Sequence, residues 1–132
     1  MTFLVPSYMC LAQDVDGRLS KLNEALYPDY EISRKKGDLI IKGFRDGEQV
    51  KTDEVNIYDL DAETLKYSDS EDAVVIKCFA DIDGCVMRIL QKERKKKTFR
   101  NRIVFTIPKG KTGLEIEENL RLFLMDLSKN TK

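Results

Sequence analysis

The sequence predicts an α+β domain made of an N-terminal helix, an antiparallel, strongly bent β-sheet or partly open barrel of about six or seven strands, and a closing C-terminal amphipathic helix. Three observations predict this fold. Apolar residues recur at helical spacing near both ends of the chain, residues 30–108 show a period of two, and tight-turn sequences divide that stretch into short segments. With 132 residues, the chain is expected to form a single domain, residues 1–132, with a substantial core.

The first helix is predicted over residues 7–27. Its apolar residues are spaced by four, four, three and four positions, which aligns them along one side of a helix. These residues are Leu11, Val15, Leu19, Leu22 and Leu26. Pro28 ends the helix, because the residue before a proline disfavours helical backbone angles.

The middle of the chain, residues 30–108, is predicted to form the antiparallel sheet. The predicted strands are residues 30–34, 38–44, 49–58, 64–67, 73–80, 85–91 and 102–107. Turn sequences such as Asp46-Gly47 and Asp83-Gly84 separate them. Because no helical segment intervenes, successive strands are expected to pair with each other as a meander.

The segment 73–91 is predicted to be a hairpin closed by a two-residue type I′ turn at Asp83-Gly84. That register places Cys78 and Cys85 on the core side without setting one opposite the other. The third cysteine is Cys10, and no Cys-x-x-Cys spacing occurs, so neither a disulfide framework nor a zinc site is expected. Reduced cysteines in turn favour a reducing compartment, the cytoplasm.

The second helix is predicted over residues 112–128. Thr112 and Glu115 have the spacing of a capping box, in which each side chain binds the backbone N–H of the other residue. The apolar stripe that follows consists of Ile116, Leu120, Phe123, Leu124 and Leu127. Residues 129–132 are expected to form a frayed tail.

The charge of the chain is divided into two segments of opposite sign. The totals balance at 23 basic and 23 acidic residues. Residues 46–85, however, hold 12 acidic and 3 basic side chains, a net charge of −9. Residues 86–112 hold 10 basic and 1 acidic side chain, a net charge of +9. Opposed charged surfaces of this kind suit steering and specificity in protein recognition.

Most of the positive charge lies in residues 92–102, predicted to be a loop between the last two strands. The binding surface expected there for an anionic partner consists of Lys92, Arg94, Lys95, Lys96, Lys97, Phe99, Arg100 and Arg102. Their charge would attract the anionic groups of a nucleic acid, a lipid head group or an acidic protein, and Phe99 could stack on a base. The alternative is a solvated loop whose charge the acidic segment balances.

The sequence carries no catalytic or metal-binding signature. The chain has no histidine, which excludes imidazole-based catalysis and metal sites that need imidazole. Residues 109–112 resemble part of a phosphate-binding loop, but Phe105 stands where that motif requires a glycine. We therefore predict a protein that is not an enzyme, with no cofactor and no bound metal. No apolar run approaches the roughly 18 residues needed to span a bilayer.

The order of several antiparallel strands followed by one amphipathic helix resembles a pleckstrin-homology-like domain. The resemblance covers residues 30–128 and is carried by the segments 55–60, 74–80, 85–90, 103–107 and 114–127. It implies a bent sheet forming a partly open barrel, with the last helix closing one end. Members commonly bind phosphoinositides through basic residues between the first two strands, where this chain has Arg34, Lys35 and Lys36. Because the larger basic run lies in a later loop, phosphoinositide binding is not expected.

These observations favour a cytoplasmic interaction domain that recognises a protein partner through its acidic and basic surfaces. The same charges would permit head-to-tail self-association into a homo-oligomer. Binding of a nucleic acid or another polyanion through residues 92–102 is the main alternative. An enzyme with a carboxylate-based site is a more distant one.

Overall fold

The computed structural model describes residues 7–93 and 96–130, and side chains within 15–93 and 96–129. Within these ranges the protein has the predicted α+β class, with two helices and eight antiparallel strands. The helices are α1 (Ser7–Leu26) and α2 (Gly113–Asn130). The strands are β1 (Tyr30–Lys35), β2 (Asp38–Arg45), β3 (Glu48–Asn56), β4 (Leu60–Ser68), β5 (Ala73–Cys78), β6 (Val86–Leu90), β7 (Lys96–Arg100) and β8 (Arg102–Thr106).

The strands form two sheets that do not close into a barrel. The first sheet has the order β1-β2-β3-β6-β7, and the second has the order β4-β5-β8. The chain passes to the second sheet after β3, returns to the first after β5, and leaves it again after β7. The expected meander is confirmed for β1-β2-β3 and is wrong for the strands that follow, because the chain then changes sheet three times.

The predicted hairpin at residues 73–91 is wrong for the same reason. β5 pairs with β4 and β8, whereas β6 pairs with β3 and β7. A type I′ turn needs a positive φ at both central residues, but among residues 83 and 84 only Gly84 has one, at 65°. The turn predicted at Asp46-Gly47 does form, and these two residues have φ values of 53° and 80°.

The two cysteines of that segment form a disulfide bond, which corrects the prediction that they are reduced. Residues 79–85 carry the chain from one sheet to the other, and this crossing brings the Cα atoms of Cys78 and Cys85 to 6.0 Å. Cys78 is buried in the core, as predicted. Free thiols at these two positions were the reason to expect a reducing compartment, and the disulfide bond removes that reason. The side chain of Cys10 lies outside the described residues.

The core lies between the two sheets and the pair of helices. α1 packs against α2 and β1, and α2 packs against β4 and β5. The predicted stripes supply the contact: Val15, Leu22, Leu26, Ile116, Leu120, Phe123 and Leu127 are buried, and Leu19 and Leu124 are partly buried. The side chain of Leu11 lies outside the described part. An ion pair of 3.0 Å between the Arg18 guanidinium and the Asp126 carboxylate joins the helices at the surface.

One of the two hydrogen bonds of the predicted capping box forms at the start of α2. The Thr112 hydroxyl oxygen accepts a hydrogen bond from the Glu115 backbone N–H at 3.2 Å. The helix continues to Asn130, so residues 129 and 130, predicted to belong to a frayed tail, are helical; residues 131–132 lie outside the described chain. Neither of the described helices is long and apolar enough to cross a membrane.

Candidate functional site

The sequence predicted a loop at the basic segment 92–102. This prediction is wrong, because the segment contains a strand. A turn at residues 91–93 leads to β7, a bend at Asn101 follows, and Arg102 begins β8 in the other sheet. β7 pairs only with β6 and forms one edge of the first sheet. An edge strand needs a backbone partner on one side only, so its lysines can stay in water while its backbone is hydrogen-bonded.

The structure brings four of the eight predicted binding residues together. Lys96, Lys97, Phe99 and Arg100 lie on β7 and are exposed; we call them the basic edge. Lys92 is exposed in the preceding turn, and Arg94 and Lys95 lie outside the described residues. Arg102 is separated from this set, because its guanidinium binds the Glu71 carboxylate at 2.8 Å in the acidic segment.

The residues of β7 alternate between the two faces of the first sheet. Ile41, Asp53, Arg88 and Thr98 occupy opposite positions on β2, β3, β6 and β7. Directly opposite residues share a face, and Ile41 is buried in the core. Thr98 and its second neighbours Lys96 and Arg100 therefore lie on the core-facing side, and Lys97 and Phe99 lie on the outer side. The basic edge thus presents positive charge on both faces.

A buried ion pair lies next to the basic edge on the core-facing side. The Asp53 side chain is only 2% exposed and accepts two hydrogen bonds from Arg88, at 2.9 and 3.2 Å. The two-bond geometry matches the planar guanidinium and offsets part of the desolvation penalty of the carboxylate. Neither residue was predicted from the sequence to belong to the site, because Asp53 lies in the acidic segment and Arg88 lies outside residues 92–102. Their only sequence signal is that Asp53 lies two positions before Val55 in an alternating strand.

The nearby Lys51 ammonium is in an unfavourable environment for a charge. Its pKa lies below the ordinary value of 10.5, mainly because of burial; attraction to Asp53 opposes this shift, and repulsion from Arg88 and Arg100 adds to it. Its nitrogen lies 5.9 Å from the centre of the Tyr30 ring. Asp53 is thus shared among several cations, and the core-facing side beside β7 carries an excess of positive charge.

The cations of the basic edge have no carboxylate partners in the described chain. The ion pairs found there use Arg18, Arg34, Arg88, Arg102 and Arg121. Lys92, Lys96, Lys97 and Arg100 are in none of them. Their charge is therefore available to a partner.

Other charged features of the surface do not extend this set. An open pocket of about 730 Å³ lies beside Lys51 and Lys92, but its wall also holds the carboxylates of Asp46, Glu48 and Glu93. Of the basic residues expected between the first two strands, Arg34 and Lys35 belong to the end of β1 and only Lys36 lies in the turn. The Arg34 guanidinium lies 3.5 Å from the Asp16 carboxylate. Within the described residues, no group of three or more acidic or cysteine side chains could hold a metal ion.

Comparisons of this chain with protein-family models, with curated proteins and with solved structures find no match.

Proposed function

We propose that this protein is a non-catalytic binding domain that recognises a protein partner, with the basic edge as its contact surface for acidic side chains. The observation that carries the proposal is the exposure of Lys96, Lys97 and Arg100 on one strand, without ion pairs in the described residues. Like charges held in a row by backbone pairing repel each other, and an anionic partner relieves that repulsion.

The separation of charge between the sheets supports a protein as the partner. Exposed carboxylates cluster on the second sheet and its turns, at Glu63, Asp69, Glu71, Asp72, Asp81 and Asp83. A partner with the complementary arrangement of charge is steered into one orientation, and partners with other arrangements are rejected. The order of antiparallel strands followed by a closing helix supports extending the proposal to a pleckstrin-homology-like domain, to whose basic pattern α1 is an addition.

Nucleic-acid binding is the second candidate, and Phe99 is the observation that favours it. Phe99 is 65% exposed and lies on the outer face of the first sheet, on the same side of β7 as Lys97. An exposed aromatic ring beside a cation can stack on a base while the cation contacts a phosphate.

The proposal is tested by measuring the affinity of the purified protein for poly-L-glutamate across a series of salt concentrations. The variant Lys96→Glu/Lys97→Glu/Arg100→Glu should bind at least about tenfold more weakly at low salt, with a smaller difference at high salt because of screening. The matched control reverses the same number of exposed charges elsewhere, at Lys35, Lys66 and Lys109, and should retain most of the affinity.

A single-stranded oligonucleotide of matched charge separates the two candidates. Binding to poly-L-glutamate that is unaffected by Phe99→Ala supports a protein partner. Tighter binding to the oligonucleotide, lost in Phe99→Ala, supports the nucleic acid instead. If neither polymer binds more tightly to the native protein than to the triple variant, the basic edge is only a solvated surface and the proposal fails. The triple variant should keep its melting temperature, because all three side chains are exposed.

A further inference from the structure

The edge of a sheet exposes unpaired backbone groups unless another part of the protein covers them, and here three of the four edges are covered. At β1, Asn23 of α1 accepts a hydrogen bond from the Ile32 N–H at 2.7 Å and donates one to the Ile32 carbonyl at 3.0 Å. The Asn23 amide thus takes the place of a neighbouring strand.

The edges of the second sheet are covered in the same way. At β4, the Glu117 carboxylate accepts from the Tyr67 N–H at 2.6 Å, and Arg121 donates to the Leu65 carbonyl at 3.4 Å. At β8, the Tyr30 hydroxyl accepts from the Thr106 N–H at 3.1 Å. Each of these edges is therefore partly closed to another strand.

β7 is different. Its residues pair with β6 on one side, and the Cys78 sulfur lies 3.8 Å from the backbone carbonyl oxygen of Arg100 at the end of the strand. In the described chain, no side chain from another element is hydrogen-bonded to the backbone of residues 96–99. Since the positively charged side chains leave this edge open to an anionic strand, we infer that an extended acidic segment of the partner protein adds to the first sheet as a sixth strand beside β7. This inference rests on the proposed function and specifies how the basic edge is used.

The alternation of β7 defines the side chains that such a segment needs. On the outer face it meets Lys97 and Phe99, which favour an acidic and an apolar residue respectively. On the core-facing side it meets Lys96, Thr98 and Arg100, which favour acidic, polar and acidic residues. An antiparallel segment with this pattern reads Glu-Val-Thr-Glu-Glu, and a parallel one reads Glu-Glu-Thr-Val-Glu.

A second copy of this chain does not fit the edge. Two β7 strands pairing with each other would set lysine and arginine side chains side by side, which is unfavourable. Among the described edge strands, exposed acidic residues occur only in β1 and β4, at Glu31 and Glu63, and helices cover the edges of both. The occupant is therefore a segment of another protein.

The test is an NMR titration at low salt with both peptides, each flanked by glycines. The two have the same composition and charge, so a preference for one shows that backbone direction matters. The better peptide is then made in two N-methylated forms, one methylated at the first, third and fifth residues and the other at the second and fourth. Only alternate amides of an added strand face β7.

If the segment adds as a strand, one methylated form should bind at least about tenfold more weakly, and the other should stay within about threefold of the parent peptide. Exchange of the outward-facing amides of residues 96–100 with solvent should slow on binding. Equal affinities of the two methylated forms, whether high or low, would overturn strand addition.

The result also separates this inference from the proposed function. If the methylated forms bind equally but poly-L-glutamate still discriminates between the native protein and the triple variant, the basic edge binds acidic proteins through side chains alone. If neither the peptides nor poly-L-glutamate bind, the proposed function fails together with the inference.

Discussion

Breaking the buried ion pair between Asp53 and Arg88 should destabilise the protein strongly. The loss of stability should be larger when Arg88 is replaced than when Asp53 is replaced. Asp53 is 2% exposed and Arg88 is 18% exposed. Arg88→Ala leaves a carboxylate that water cannot reach, so we expect a loss of about 3–5 kcal/mol in the free energy of unfolding. Asp53→Ala leaves a guanidinium that can turn towards solvent, so its cost should be smaller, about 2–3 kcal/mol.

Replacing both partners should recover most of that loss. Ile32 and Ile41 occupy the same row of the sheet and are buried, so the apolar double variant Asp53→Leu/Arg88→Met extends an apolar surface. Its stability should lie within about 1–2 kcal/mol of the native protein, because no charge remains unpaired.

Urea denaturation of the native protein, both alanine variants and their double-alanine combination gives the coupling between the two residues. We expect a coupling free energy of about 1–3 kcal/mol, as found for contacting residues in one network. The change should appear in the transition midpoint at a constant slope. If Arg88→Ala changes stability by less than about 0.5 kcal/mol, as a typical surface substitution does, the pair is not buried in solution. The positions assigned to β3, β6 and β7 would then be wrong.

Three further predictions concern other parts of the fold. Burial lowers the pKa of Lys51, so the unfolded chain binds more protons at this side chain than the folded protein does. The stability of the native protein relative to Lys51→Met should therefore rise as the pH increases from the lowered pKa towards 10.5. A difference in melting temperature that stays constant across that pH range would contradict this. Thiol titration in denaturant without reductant should find one reactive cysteine, and three with reductant, because Cys78 and Cys85 are paired; three in both conditions would exclude the disulfide. Thr112→Ala should cost about 1 kcal/mol and Leu120→Ala about 2–5 kcal/mol in urea denaturation, whereas equal, negligible effects would show that α2 is not docked.

The disulfide and the hairpin error show what local sequence patterns leave open. Alternation and the turn residues correctly indicated strands near residues 73–78 and 86–90. Neither property specifies which strand lies beside which, because pairing depends on contacts between distant segments. The nearest strand in sequence was the natural choice, and that choice hid both the crossing at 79–85 and the Cys78–Cys85 bond.

The candidate site was predicted in composition but not in form. Lys96, Lys97, Phe99 and Arg100 were identified from their charge and their aromatic ring, and the structure places them together. The strand that holds them was not predicted, because a run of lysines usually forms a solvated loop. At the edge of a sheet, such a run can hydrogen-bond its backbone to one neighbouring strand and keep its side chains in water.

The sequence by itself determined the fold class, the two helices with their buried faces and the division of charge, because helical and strand periodicity and net charge are properties of neighbouring residues. The tertiary structure decided the assignment of strands to two sheets, the burial of Asp53 against Arg88, and the pairing of the cysteines. It also decided that Asn23, Glu117 and Tyr30 cover three sheet edges, whereas no further strand of the described chain pairs with the outer edge of β7. Each of these depends on which distant segments meet, and that is set by the packing of the whole chain.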